Sequence, residues 1–275
     1  MQCPARPRPA DDGVRARLTD SVVGCLVRGA RKAGGARDAG QAGHHNPAVS
    51  EGPAVETSPA PTLSAAALGA QRGERPLFRA LELHLRPGQV VWLRGRNGSG
   101  KTSLLRLLAG LSSPARGTVL FDGVPLAQCP PAWHRRLRYV AHANALKDDL
   151  TVLEAVRFLG SLQGQTPSNN DIGNALRRLG VGLLHAAPVR TLSQGQRRRC
   201  ALARLALPYE AHEVSVWLLD EPYDALDQEG VQALHALLAD HARRGGSTLL
   251  TSHQDVSLRE PVPSVLDLDD FVVSP

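Results

Sequence analysis

Three glycines, a lysine and a hydroxyl stand in a fixed spacing at Gly95-Arg96-Asn97-Gly98-Ser99-Gly100-Lys101-Thr102, followed by Ser103. The run satisfies GxxxxGK[ST], and its chemistry is the holding of a phosphate chain. Glycines let the backbone curl until successive N–H groups face one phosphate, and the N-terminus of the helix that follows adds positive potential. Lys101 supplies a mobile charge for the β- and γ-phosphates, and the Thr102 hydroxyl is of the type that ligates Mg²⁺. A second group is the carboxylate pair Asp220-Glu221, which ends the largely apolar run 214–219. Asp220 is placed to hold Mg²⁺ through water, and Glu221 to polarise an attacking water as general base. Alone, such a pair also serves as a solvated turn; downstream of a phosphate loop it reads as chemistry. A third group is Leu192-Ser193-Gln194-Gly195-Gln196. Ser193 is a good helix N-cap, and its hydroxyl with the Gly195 backbone also makes an anion site at a helix start.

These groups need strands that stop and helices that start at the right places. A short apolar strand over 90–93 precedes the glycine run, and an amphipathic helix over 102–111 follows it. Further strands are expected over 117–122, closed by the turn pair Asp122-Gly123, and over 137–140, 214–219 and 248–251. Helices are expected over 151–162, 170–179, 197–207 and 230–242, with a breaker run at 164–168. Strands alternating with helices predict an α/β fold with a mostly parallel core sheet covered on both faces. An antiparallel β part and a small helical insert, at about 148–195, complete the expectation. Residues 1–61 are rich in Pro, Gly, Ala and Arg without a sustained period, and are expected to be a disordered extension to a domain over 62–275.

Composition limits the alternatives. The chain has 275 residues and a formal charge of +6, with its basic residues scattered rather than in a run, so the charge does not select a partner. Of 32 basic residues only Lys32, Lys101 and Lys147 are lysines, which makes the lysine of the phosphate loop stand out. Cys3, Cys25, Cys129 and Cys200 form no CxxC pair or metal-ligand cluster and are expected to be reduced thiols. His44-His45 could hold a metal or haem but reads more simply as a solvated pair in the extension. No stretch reaches the length of a membrane span, so a membrane role is expected to come through a partner.

LSxGQ between the phosphate loop and the Asp-Glu strand resembles the signature motif of ABC ATPases. Ala225-Leu226-Asp227 resembles the D-loop that follows, and His253 resembles the switch histidine. The resemblance implies that Ser193, Gly195 and Gln196 contact the γ-phosphate of a nucleotide held by an opposite subunit, with Asp227 nearby. It also implies that Lys101, Glu221 and His253 serve ATP hydrolysis, with ATP and Mg²⁺ as cofactors. A homodimer is then required, together with integral membrane permease subunits and no nucleic acid. The family normally places a glutamine where His142 stands, and an aromatic residue to stack on adenine where Arg72 stands. The segment from Tyr139 to Phe158, with His142, Lys147, Glu154 and Arg157, resembles the CcmA-type subunits of the haem exporter in bacterial cytochrome c maturation. That likeness implies haem export at the cytoplasmic face of the inner membrane. The ATPase of another ABC importer or exporter is the alternative; a soluble ABC ATPase would carry a long coiled coil or a second cassette.

Overall fold

The computed structural model describes residues 62–128, 130–208 and 215–272, and none of their helices is long and apolar enough to cross a membrane. The expected extension 1–61 with His44-His45 lies outside the described residues, as do Cys3, Cys25, Cys129 and the start of the strand expected over 214–219.

Five strands form the central sheet: β3 (Val90–Arg94), β6 (Leu137–Val140), β7 (Val216–Leu219), β8 (Ser247–Thr251) and β9 (Ser264–Asp267). Their order is β6-β7-β8-β3-β9, and every neighbouring pair is parallel. The runs 216–219 and 247–251 have no exposed position because both faces of the sheet are covered. Val216, Leu218 and Leu249 point into one apolar cluster; Trp217, Leu219 and Leu250 point into the other. The first cluster is closed by β1 (Leu63–Arg72), β2 (Arg75–Leu85), β4 (Arg116–Phe121) and helix α1 (Lys101–Leu108). Those three strands, with the short β5 (Val124–Pro125), make an antiparallel sheet of order β2-β1-β4-β5. Leu63, Leu68, Leu81 and Leu85 are fully buried there. Each such side chain stabilises the fold by about 1.5–3 kcal/mol relative to exposure.

The second cluster is roofed by α3 (Val152–Ser161), α4 (Asn169–Arg178), α5 (Gln194–Ala203) and α6 (Gln228–Arg243). Val152, Val156, Ile172, Leu176 and Leu202 are fully buried in it. Capping fixes where three of these helices begin. Thr151, Ser168 and Ser193 each accept a hydrogen bond from the backbone N–H three residues on, and the residue there accepts one in return. Cys200 on α5 is a buried free thiol whose pKa burial pushes up to about 12, which suits a packing role.

The structure shifts several expected boundaries. The helix expected over 102–111 is α1 and ends at Leu108, because Gly110 turns left-handed (φ 68°). The helix expected over 197–207 starts at Gln194 and gives way after Ala203 to a 3-10 turn. The helix expected over 230–242 starts at Gln228, since the Asp227 side chain caps it by accepting from the Gly230 N–H. Helix α2 (Pro130–Arg136) and strand β9 are additional elements.

Candidate functional site

Parallel strands all point the same way, so their carboxyl ends deliver residues to one edge of the sheet. The end of β3 leads into the phosphate loop, β6 into His142, β7 into Asp220 and Glu221, and β8 into His253. A cleft of about 350 Å³ at that edge is lined by Asn97, Gly98, Gly100, Lys101, Thr102 and Ser103 from the loop. Across it stand His142, Asp220, Glu221 and His253, with Arg72 on the rim from the β1–β2 hairpin. The loop curls as its glycines allow: Gly95, Gly98 and Gly100 all have positive φ. At Gly100 (φ 110°) a side chain would be strained by the backbone, and its Cβ would also press on the Phe78 ring at 3.2 Å. Gly100 caps α1 without any side-chain hydrogen bond, leaving the first N–H groups of the helix facing the cleft without an intrahelical partner. The Lys101 ammonium donates to the carbonyls of Gly95 (2.8 Å) and Arg96 (3.3 Å), so it already arches over the loop.

The acidic side of the cleft is held by hydroxyls. Thr102 Oγ1 donates to Asp220 Oδ2 at 2.9 Å, and Thr251 Oγ1 donates to Asp220 Oδ1 at 3.1 Å. Thr251 Oγ1 in turn accepts the Glu221 N–H at 2.8 Å. Glu221 itself is left-handed (φ 47°), a conformation that costs a non-glycine residue about 1–2 kcal/mol. Its carboxylate is only 9 % exposed, accepts the His253 N–H at 3.0 Å, and lies 3.5 Å from His253 Nε2. A strained backbone and burial therefore hold this carboxylate against His253 in the wall of the cleft. The His142 ring is 70 % exposed and pairs through Nδ1 with Asp224 at 3.3 Å.

Ser193, Gly195, Gln196 and Asp227 lie elsewhere, in a separate cleft of about 420 Å³. Gly195 is required there by close approach: a Cβ would meet the Ala225 carbonyl oxygen at 2.8 Å. Arg199 on α5 donates to Asp227 and holds its carboxyl below the usual carboxylate range, helped by the Gly230 N–H. Ser193 accepts from the Gln196 N–H (3.2 Å), and the Gln196 side chain accepts from the Ser193 N–H (2.9 Å). Among the described residues the Ser193 hydroxyl proton has no acceptor.

One chain therefore brings together the phosphate loop, His142, Asp220, Glu221 and His253, and keeps the serine-led group apart. Of the loop, Gly95, Arg96 and Ser99 do not line the cleft; Ser99 is buried, and the Arg96 N–H donates to Asp269 at 3.1 Å. Four contributors carry no functional motif in the sequence: Thr251, Asp224, Asp269 and Arg198, whose guanidinium donates to the carbonyls of Asp220 and Glu221. Thr251 had a usable signal, as the last residue of an apolar strand two positions before His253. The other three act through contacts far along the chain, which no local pattern announces.

A family model described as ABC transporter matches residues 78–224. The chain is 45 % identical over 210 residues to the cytochrome c biogenesis ATP-binding export protein CcmA of Aromatoleum aromaticum, covering 76 % of this chain and 96 % of that protein. It is 39 % identical to the protein of the same description from Vibrio parahaemolyticus, covering 76 % of this chain and 100 % of the other. Among solved structures it is similar to a putative ABC transporter ATP-binding protein from Pyrococcus furiosus, with TM-score 0.66 and 23 % identity, covering 77 % and 99 % of the two chains. A bacterial ABC transporter cassette solved as a dimer gives TM-score 0.64 at 20 % identity, covering 75 % and 94 %.

Proposed function

The chain belongs to the ATP-binding proteins of ABC transporters and is similar to the CcmA proteins, and on that premise we propose that its ATP hydrolysis powers haem export for c-type cytochrome biogenesis. ABC ATPases bind ATP, dimerise and act with permease subunits. The observation that carries the catalytic assignment is the juncture of Thr102, Asp220, Glu221 and His253 at the mouth of the phosphate loop. Lys101 and the N–H groups of the loop would hold the β- and γ-phosphates. The Thr102 hydroxyl and Asp220 carboxylate, 2.9 Å apart, form an oxygen pair that suits Mg²⁺, which takes few protein ligands and completes its shell with phosphate and water. Bound there, Mg²⁺ would neutralise charge developing on the phosphates. Glu221 would orient and deprotonate the attacking water, and His253 would meet the γ-phosphate while its backbone fixes the Glu221 carboxylate.

Ser193, Gly195, Gln196 and Asp227 would complete the site of a second copy packed head to tail. The spare Ser193 hydroxyl proton and the position of these residues in a cleft of their own support that reading. His142 would approach the phosphate end in the place of an amide, and Arg72 would stack its guanidinium on the base. The permease would be of the haem-export type and would hold this subunit at the cytoplasmic face of the bacterial inner membrane. Residues 1–61 would be dispensable for hydrolysis. Deleting the gene and staining for covalent c-type haem tests the cargo. Loss of the stained cytochromes, restored by the wild-type chain but not by Lys101→Ala, is the expected result. Normal cytochromes in the deletion strain, with no second gene copy, would assign the motor to another export or import step.

A further inference from the structure

We propose that Arg198 is a positioning residue for hydrolysis, a guanidinium that fixes the main chain at 141–142 and at 220–222 to the helix carrying Ser193. The inference rests on the roles given above to Glu221 and Ser193. Arg198 lies on α5, one and a half turns beyond Ser193, and is 2 % exposed. Its Nη1 donates to the carbonyls of Ala141 (3.1 Å) and His142 (3.3 Å) and to Asn144 Oδ1 (3.0 Å). Its Nη2 donates to the carbonyls of Asp220 (3.0 Å) and Glu221 (2.6 Å), and Nε donates to that of Pro222 (3.4 Å).

All six acceptors are uncharged oxygens. Burying a cation without a directly paired carboxylate is expensive, and an apolar side chain of similar length would join α5 to the sheet at lower cost. What the apolar side chain lacks is direction. The planar fork sorts its two edges: one reads the segment that carries His142, the other the segment that carries both acids. Glu221 gains most, because its left-handed backbone is tied at N–H by Thr251 and at C=O by Arg198. With the peptide groups on both sides of its Cα pinned, the Glu221 carboxylate keeps its place in the cleft wall. A movement of α5, such as engagement of Ser193 with a second copy's nucleotide, would reach Glu221 and the His142 segment together through one side chain.

The test uses the full chain, measuring steady-state ATP hydrolysis and equilibrium binding of a fluorescent ATP analogue. In Arg198→Lys, whose single ammonium cannot serve both segments, kcat should fall about tenfold or more while the analogue's Kd stays within about twofold. Asn144→Ala removes one acceptor and leaves the arginine in place; kcat should fall about threefold with no change in thermal midpoint. The double variant should be no slower than Arg198→Lys, since both changes act through one contact set. Unchanged kcat in Arg198→Lys, kcat and Kd moving in proportion, or losses that multiply in the double variant would each overturn the proposal. Lys101→Ala separates this from an error in the site itself: loss of the phosphate contact appears in the binding curve, loss of positioning only in turnover.

Discussion

Helices α1 and α5 both start beside a cleft expected to meet phosphate, and they start in opposite ways. At α1 a left-handed glycine leaves the first N–H groups uncapped, and the nearest cation, Lys101, lies over its own loop. At α5 a full capping box satisfies Ser193 and Gln196 within the chain. The first is an open cradle; the second is a closed turn that offers one hydroxyl proton. The other two boxes sharpen the contrast. Thr151 and Ser168 donate their hydroxyl protons to the carboxylates of Glu154 and Asp171, whereas the partner of Ser193 is the neutral amide of Gln196. A carboxylate at that position would repel a phosphate and consume the proton. Of the three boxes, that of α5 alone caps its helix without a carboxylate, as the anion-contacting role proposed for Ser193 requires.

The largest effect should come from emptying the open cradle. Lys101→Ala should reduce phosphate release by about a thousandfold and weaken ATP binding; retained turnover would remove the phosphate-loop assignment. Next comes the acid that faces the cradle. Glu221→Gln keeps the side chain's shape and should lower kcat by about a hundredfold or more. It should also trap a dimer with ATP and Mg²⁺, seen by gel filtration; a species that stays monomeric would leave Ser193 without a nucleotide to meet. The third test sets one box against another. Ser193→Ala and Ser168→Ala should each destabilise by about 1 kcal/mol through the lost cap. Only Ser193→Ala should also slow hydrolysis, by about tenfold. Equal kinetics in the two variants would reduce Ser193 to a structural cap.

The smallest effect is on acidification. The Thr151 backbone and hydroxyl hold the Glu154 carboxyl below its usual range, and the Ser168 hydroxyl and backbone do the same for Asp171. A depressed folded-state pKa means that the stabilisation is present above the unfolded carboxylate pKa and is lost as pH falls through the folded one. Amide protection at the starts of α3 and α4 should therefore weaken below about pH 4. The α5 start, capped by an amide, should keep its protection over the same range.

Much of this was legible because the chemistry is local. The glycine run, the strand over 137–140 and the acids after an apolar strand are contiguous in sequence, and each landed where its pattern placed it. The hairpin strands were harder: β1 reads Leu-Ser-Ala-Ala-Ala-Leu-Gly-Ala-Gln-Arg, alanine-rich and poor in β-formers, and it becomes a strand by pairing on both sides with β2 and β4. β9 has no buried position and follows a proline-rich stretch, so nothing in its own residues marks it; β3 supplies the template. His142 pairs with Asp224, and Arg198 with carbonyls at 141 and 222, across separations no periodicity spans.

The contact between the Arg96 N–H and Asp269 joins residues 173 positions apart, and both strand partners of β3 come from the last third of the chain. During synthesis the phosphate loop emerges early, yet its flanking strand has no neighbours until β8 and β9 leave the ribosome. At roughly 5–20 residues per second that is a delay of about ten seconds or more. The strand that carries the phosphate loop is thus completed only after the last strands have been made, so a chain stalled before β8 and β9 would lack the sheet framework that positions the loop.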